Sequence, residues 1–64
     1  MQIQEIINEL TDMSSKTDYL KYELHNALES GDALQAARYY NLINDAEETI
    51  VKLVEIVEDH SSLN

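Results

Sequence analysis

The stretch Ser30-Gly31-Asp32 contains the only glycine of this 64-residue chain, which has no proline. Glycine readily adopts the left-handed backbone conformation that ends many α-helices. Asp32 is a residue type favoured at the start of a helix, and Gln35 stands where its side chain can return a hydrogen bond to the capping residue. The stretch therefore predicts that one helix ends at residue 29 and that another begins at residue 33.

Apolar residues and one threonine recur at alternating intervals of three and four on both sides of this turn. Such heptad spacing is typical of helices that pack along a partner helix. Before the turn it includes Ile3, Ile6, Leu10, Met13, Thr17, Leu20, Leu24 and Ala27. After the turn it includes Ala36, Tyr39, Ile43, Ala46, Ile50, Leu53 and Val57. We therefore predict an all-α fold in which two long antiparallel helices form a coiled-coil-like helical hairpin.

The predicted hairpin is a single domain over residues 1–64. Its first helix covers residues 2–29, the turn residues 30–32 and the second helix residues 33–59, with a frayed tail at 60–64. A break near Ser15 is an alternative, because serine is a mediocre helix former and Ser15 with Asp18 can cap a new helix. The heptad spacing passes through this segment without a phase change, which favours one continuous helix.

The apolar stripe is narrow near the turn and broad at the far end. Near the turn it consists of alanines (Ala27, Ala33, Ala36 and Ala37), whereas residues 50–57 are apolar around more than one helical face. A domain of about 60 residues buries only roughly 60% of its unfolded surface, and the chain has no cysteine for a disulfide. We therefore predict a homodimer, a four-helix bundle. The residues expected to mediate self-association are Ile3, Ile6, Ile7, Leu10, Ile50, Leu53, Val54 and Val57.

The chain is strongly acidic, with thirteen acidic and four basic residues and a net charge of −9. This charge repels nucleic acids and anionic membranes, so we expect neither as a direct partner. It suits a basic, nucleic-acid-binding protein as partner, and acidic side chains can also imitate a phosphate backbone. The candidate mimic charges are Glu5, Glu9, Asp45, Glu48, Glu55, Glu58 and Asp59. No apolar run is long enough for a membrane span and the N-terminus lacks the basic region of a signal peptide, so we expect a cytoplasmic protein.

No motif for catalysis or cofactor binding is found in the sequence. His25 and Glu29 are spaced to form half of a metal site, but no further histidine or cysteine lies nearby. The serines have no recognisable base or oxyanion hole, and there is no glycine-rich phosphate loop. We therefore expect a protein that is not an enzyme and has no metal or cofactor.

Tyrosines distinguish two parts of the predicted hairpin. Tyr39 lies in the heptad ladder and Tyr40 beside it, so both are expected in the core. Tyr19 and Tyr22 fall on the outward face, where tyrosines favour protein interfaces. The outward stripe expected to bind a partner comprises Asp12, Ser15, Tyr19, Tyr22, Asn26 and Glu29.

The length, the turn near residue 30 and the two ladders resemble the Rop family, plasmid RNA-modulating proteins whose antiparallel hairpins dimerise into four-helix bundles. The resemblance implies the dimer. Its RNA function would require a basic outer face on the first helix, where this chain has Asp12 and Glu29. A weaker likeness to half a tetratricopeptide unit rests on Gly31, Asp32, Ala36 and Tyr40.

Three functional hypotheses follow. The leading one is a small acidic, non-catalytic regulator or inhibitor of phage or mobile-element type that binds a protein, with nucleic-acid mimicry as a sharper version. The alternative is an assembly subunit or chaperone hairpin that shields a partner helix, similar in size and acidity to the co-chaperones of secretion needles. The third is a Rop-like RNA-binding bundle, which the charge disfavours.

Overall fold

The computed structural model describes residues 2–62, and the surroundings of side chains from residue 2 to residue 60. Helix α1 spans Ile3–Glu29 and helix α2 spans Ala33–Ser62. The two helices pack against each other as a hairpin whose extents are 50 × 15 × 14 Å. The predicted all-α helical hairpin is confirmed.

Helix α1 passes through Ser15 without a break, as the heptad spacing predicts. The hydroxyl of Thr17 donates a hydrogen bond to the carbonyl of Met13 at 2.8 Å, and Thr11 donates in the same way to Ile7 at 3.0 Å. These bonds satisfy the threonine hydroxyls within the helix, so they do not compete with its backbone. The alternative of a new helix near Ser15 is therefore wrong.

The second helix is longer than predicted. Residues 60–62 belong to α2, although they were expected in a frayed tail. The prediction relied on the polar composition of this segment, but no glycine or proline follows Gly31 to end the helix. Leu63 and Asn64, the rest of the predicted tail, lie outside the described residues.

The turn consists of three residues whose backbone N–H groups all donate hydrogen bonds. Gly31 has φ +71°, the left-handed conformation that its position predicts. Its N–H donates to the carbonyl of Leu28 at 3.2 Å, and the N–H of Asp32 donates to that of Ala27 at 2.9 Å. This is the Schellman arrangement, which satisfies carbonyls left open at a helix end.

Asp32 caps α2, as predicted. Its Oδ1 accepts a hydrogen bond from the N–H of Gln35 at 3.1 Å. The return bond expected from the Gln35 side chain is not formed, because the N–H of Asp32 already donates to Ala27. The turn is therefore held by the Asp32 cap, by three backbone bonds from the N–H groups of residues 30–32, and by the Ser30 hydroxyl, which donates to the carbonyl of Asn26.

The seam between the helices follows the two predicted ladders. Each ladder residue is buried or half-buried in the described part of the chain. The buried residues are Ile6, Thr17, Leu20, Ala27, Ala36, Ile43 and Ala46. The half-buried ones are Ile3, Leu10, Met13, Leu24, Tyr39, Ile50, Leu53 and Val57. The heptad period therefore identified the contact between the helices.

Three residues expected near the core lie at the surface instead. Tyr40 is 58% exposed, and Ala33 and Ala37 are exposed as well. These residues flank the seam, and a single partner helix covers only a narrow stripe of α2. The expectation that Tyr40 belongs to the core is therefore wrong.

The hairpin is extended and open compared with a compact domain. Its radius of gyration is 14.8 Å, whereas a compact chain of this length would have about 11 Å. Its accessible surface is 4864 Å², compared with roughly 4200 Å² for a compact monomer of this mass. The hairpin therefore exposes more surface than a compact chain would, and large apolar side chains such as Ile7 and Val54 are part of it.

Candidate protein-binding surfaces

The seam has two edges, and the residues along them form two flanks. On one side, Lys21 Nζ lies 3.7 Å from Glu47 Oε2. Lys21 directly follows the seam residue Leu20, and Glu47 directly follows the seam residue Ala46. Residues in this position on α1 and α2 therefore lie on the same side of the seam. We call this side the apolar flank. It comprises Ile7, Ser14, Lys21, Leu28, Ala33, Tyr40, Glu47, Val51 and Val54.

The opposite side, the charged flank, is marked by two clefts between the helices. Met13, Lys16, Leu42 and Thr49 line one of them. Glu5, Glu9 and Leu53 line the other, again with Thr49. On each helix, two rows of residues at seven-residue intervals lie along this side of the seam. The charged residues in these rows are Glu5, Glu9, Asp12, Lys16, Glu23, Arg38, Asp45, Lys52 and Asp59.

The apolar flank exposes five large apolar side chains with few charges among them. They are Ile7, Leu28, Tyr40, Val51 and Val54. The two charges within the flank, Lys21 and Glu47, form an ion pair, and Asp18 and Glu58 stand at its rim. They form two groups, Ile7, Val51 and Val54 near the open end and Leu28 and Tyr40 near the turn, on either side of the ion pair. Exposed apolar patches of this kind are typical of an interaction site.

The outward stripe of α1 is exposed throughout, in agreement with its heptad positions. Asp12, Ser15, Asn26 and Glu29 are exposed, together with Tyr19 at 60% and Tyr22 at 63%. Tyr19 and Tyr22 are three residues apart on one helix, so their rings lie on the same face. The stripe therefore presents two neighbouring aromatic side chains among polar and acidic ones.

The residues predicted to mediate self-association are divided between the seam and the surface. Ile6 is only 4% exposed. Ile3, Leu10, Ile50, Leu53 and Val57 are half-buried, and Ile7 and Val54 are exposed. Most of this set therefore packs within one chain, and only Ile7 and Val54 lie largely outside the seam.

Sequence reasoning did not single out Leu28, Tyr40 and Val51 as part of the same surface. A signal was present, since Ile7, Leu28, Tyr40 and Val54 each directly follow a ladder residue. In an antiparallel pair of helices such positions lie on one side of the seam, as the Lys21–Glu47 pair demonstrates.

The candidate mimic charges are distributed over several faces. Asp45, Glu48, Glu55 and Asp59 form a row along α2 that also contains Lys52, which lies 3.4 Å from Glu48. Glu5 and Glu9 belong to the charged flank, while Glu58 shares a helical row with Val51 at the opposite rim. The row on α2 is thus the longest acidic feature within this set.

The His25–Glu29 pair forms as its spacing predicts. His25 Nε2 lies 2.9 Å from Glu29 Oε1, and both side chains are mostly exposed. Among the described residues, no three histidine, cysteine, aspartate or glutamate side chains are grouped to hold a metal ion. The pair is thus a surface contact of α1.

The architecture places the chain in the class of small all-α helical hairpins. Comparison with protein families, with curated proteins and with solved structures found no match for it. Within the described residues, neither helix has an apolar stretch that could cross a lipid bilayer. Functional inference therefore rests on the surfaces above.

Proposed function

We propose that this chain is a non-catalytic, cytoplasmic regulator or inhibitor that binds a basic protein through the outward stripe of α1. The observation that carries the proposal is the pair Tyr19 and Tyr22, each at least 60% exposed and both outside the seam. Hairpin packing does not require these side chains, since the seam is formed by other residues. A binding role explains why two large aromatic side chains stand on this face.

Tyrosine suits such a role for physical reasons. It brings a large contact area and a hydroxyl group with only two rotatable side-chain bonds, and it is enriched among the residues that dominate binding energy. Ser15 and Asn26 beside the rings add hydrogen-bonding groups. The stripe thus combines aromatic anchors with a polar surround, which is the usual composition of an interface.

The charge around the tyrosines indicates the chemistry of the partner. Asp12, Asp18 and Glu29 lie on the same helix and are exposed. Lys21, one of the two lysines of α1, is engaged by Glu47. A positively charged protein surface would therefore be attracted to the stripe, and association would weaken as salt screens the charges.

Nucleic-acid mimicry is the sharper version of this proposal. Asp45 and Asp59 are fourteen residues apart, or about 21 Å along the helix. The row from Asp45 to Asp59 contains four carboxylates and Lys52, so its net charge is −3, or one negative charge per roughly 7 Å of helix. One strand of DNA carries one negative charge per about 3.4 Å. The acidic row thus has about half the charge density of a DNA strand. This favours ordinary recognition of a basic protein over imitation of a phosphate backbone.

A pull-down comparison tests the proposal. The tagged chain, the double variant Tyr19→Ser/Tyr22→Ser and the control Leu34→Ser are incubated with extract of cells that express the chain. Leu34 is as exposed as the tyrosines but lies on α2. We expect at least one basic protein retained by the unchanged chain and the control, and reduced about tenfold or more by the double variant.

Retention that is equal for all three chains would contradict the proposed stripe. Retention that is unchanged between low and high salt would contradict a charge-guided partner. If retention falls with salt while the tyrosine variant binds normally, and Asp45→Asn/Glu48→Gln abolishes binding, the mimic version replaces the tyrosine version.

The alternative function, a chaperone hairpin that shields a partner helix, is supported by the exposed side chains of the apolar flank. A substitution such as Ile6→Asp cannot test it, since Ile6 is buried and the substitution would disrupt the hairpin itself. Ile7→Asp tests it directly, because Ile7 lies outside the seam. Loss of a retained protein by this variant, with Tyr19→Ser/Tyr22→Ser unaffected, would favour the chaperone.

A further inference from the structure

We infer that the apolar flank binds a second copy of this chain, so that two hairpins form a four-helix bundle with both turns at the same end. The inference concerns a different surface from the outward stripe of α1 and does not depend on the proposed function. Three features of the flank carry it: its charge, its area and the arrangement of its ion pair.

The first feature is charge. Each copy has a net charge of −9, so two copies repel each other unless the surfaces that meet carry little charge. The apolar flank carries one internal ion pair and two rim carboxylates, Asp18 and Glu58. The charged flank carries six acidic and three basic side chains in the corresponding rows. The apolar flank is therefore the side on which a second acidic chain can approach most closely.

The second feature is area. One face of the hairpin measures 50 Å by 15 Å, a projected area of about 750 Å² before the relief of the side chains is included. A standard protein interface buries about 800 Å² on each partner. The five exposed apolar side chains extend along this face from Ile7 near the open end to Leu28 near the turn. A second hairpin laid along the flank would thus cover an interface of ordinary size.

The third feature selects the orientation. If the two-fold axis runs parallel to the helices, α1 of one copy lies over α2 of the other. Lys21 then faces Glu47 of the second copy. Ile7 and Val54, which stand 24 and 23 residues from Gly31, meet at the same level. Unlike charges and apolar side chains are therefore paired across the interface.

The other possible two-fold axis is perpendicular to the helices. It places α2 of one copy over α2 of the second copy, with the two turns at opposite ends. Glu47 is the fifteenth of the thirty residues of α2, so it would oppose its own symmetry mate. Like charges placed directly opposite each other disfavour association. The arrangement with both turns at one end is the one that avoids this conflict.

The decisive measurement is the solution mass by light scattering and sedimentation over a concentration series. We expect a dimer that dissociates on dilution. Val54→Glu should raise its dissociation constant at least about tenfold, because each dimer gains two carboxylates in the interface. The matched control is Ile56→Glu, two residues further along the same helix but on the charged flank. The two side chains are 38% and 47% exposed. The control should change the constant less than about threefold.

A chain that stays monomeric at high concentration would overturn the inference. So would a dimer weakened equally by both variants, or weakened more by Ile56→Glu. If Val54→Glu loses its helical circular dichroism even as a monomer, Tyr40→Gln replaces it, with Tyr22→Gln as control. Both tyrosines are largely exposed, but Tyr40 alone lies in the apolar flank. Equal effects of these two variants would also overturn it.

Cross-linking tests the orientation and is simplified by the absence of native cysteine. Chains with Ile7→Cys are mixed with differently tagged chains with Val54→Cys and oxidised. We expect a mixed disulfide between them, because the Cα atoms must lie within roughly 7 Å to be bridged. A mixture of Ile7→Cys with Lys21→Cys should cross-link no better than an exposed control, Ile7→Cys with Leu34→Cys. Preferential cross-linking through Lys21→Cys would place the turns at opposite ends and overturn the orientation.

Discussion

The half of the hairpin next to the turn is packed more tightly than the half at its open end. Near the turn the seam contains six of the seven buried residues, from Thr17 to Ala46 along the chain. Toward the open end, Ile6 is the single buried residue among those described, and larger side chains such as Leu10 and Leu53 remain half-buried. Residue size alone therefore does not set burial in this fold.

The difference has a geometric reason. Alanines at the seam let two helices approach closely, and the three-residue turn holds their ends together. At the open end the seam contains larger side chains instead of alanines, and no turn joins the two helices there. The open half therefore gains more from an additional partner, which agrees with the dimer inferred above.

The largest expected effect tests whether the turn half holds most of the stability. Leu20→Ala should lower the free energy of unfolding by about 3 kcal/mol, because it leaves a cavity in the tightly packed half. A chain of this size has only about 3–5 kcal/mol in total, so the variant should be largely unfolded by circular dichroism. Leu53→Ala is the matched control and should cost clearly less at a concentration where the chain is monomeric. Equal losses would contradict the comparison.

The next effect concerns the turn itself. Gly31→Ala should cost roughly 1–2 kcal/mol of stability, because φ +71° is unfavourable for a residue with a β-carbon. An added β-carbon would meet no atom within 4 Å, so crowding adds nothing to this cost. Urea unfolding of the variant measures it. A loss below a few tenths of a kcal/mol would show that the turn readjusts freely.

The cap of α2 should have a somewhat smaller effect. Asp32→Ala removes the acceptor of the Gln35 N–H and should cost about 1 kcal/mol. Asp32→Asn retains an acceptor and serves as the control, with an expected loss of a few tenths. If both variants lose the same stability, the charge rather than the hydrogen bond is what Asp32 contributes.

Hydrogen exchange compares the two halves without any substitution. Backbone amides between residues 17 and 27 and between 36 and 46 should be the most protected, whereas those of residues 6–10 and 53–60 should exchange faster by local fraying. Raising the protein concentration should slow exchange mainly at the open end, because self-association covers the whole flank but the half next to the turn is already protected in the monomer. Uniform protection at all concentrations would indicate a single cooperative unit.

The smallest effect is expected from the ion pair across the apolar flank. The side chains of Lys21 and Glu47 are 56% and 51% exposed, and exposed pairs of this kind contribute about 0–1 kcal/mol. Lys21→Ala should therefore change the stability of the monomer by less than about 0.5 kcal/mol. A larger loss in the monomer, removed by high salt, would show that the pair is part of the hairpin's own stability.

Much of the fold could be predicted from local signals. The single glycine located the turn, and the intervals of three and four located each residue of the seam. Position in a heptad also placed Tyr19 and Tyr22 on the outer face, where both are exposed. These predictions succeeded because periodicity in a helix determines angular position without reference to the rest of the molecule.

The candidate surfaces were predicted less well. Tyr40 was expected in the core, and Ile6 was grouped with the residues available to a second chain. Apolar character shows that a side chain favours burial, but one partner helix leaves room for only a narrow stripe. Which apolar residues remain outside depends on the width of that contact.

The sequence by itself determined the two helices, the turn and the seam, because each follows from backbone preference or helical period. Only the tertiary structure decided which residues of α1 lie on the same surface as which residues of α2. Lys21 and Glu47 are 3.7 Å apart although they belong to different helices. Ile7, Tyr40 and Val54 lie on one flank because the antiparallel packing brings these positions to the same side of the seam. Such proximity depends on the relative placement of two helices, which the period within either helix does not specify.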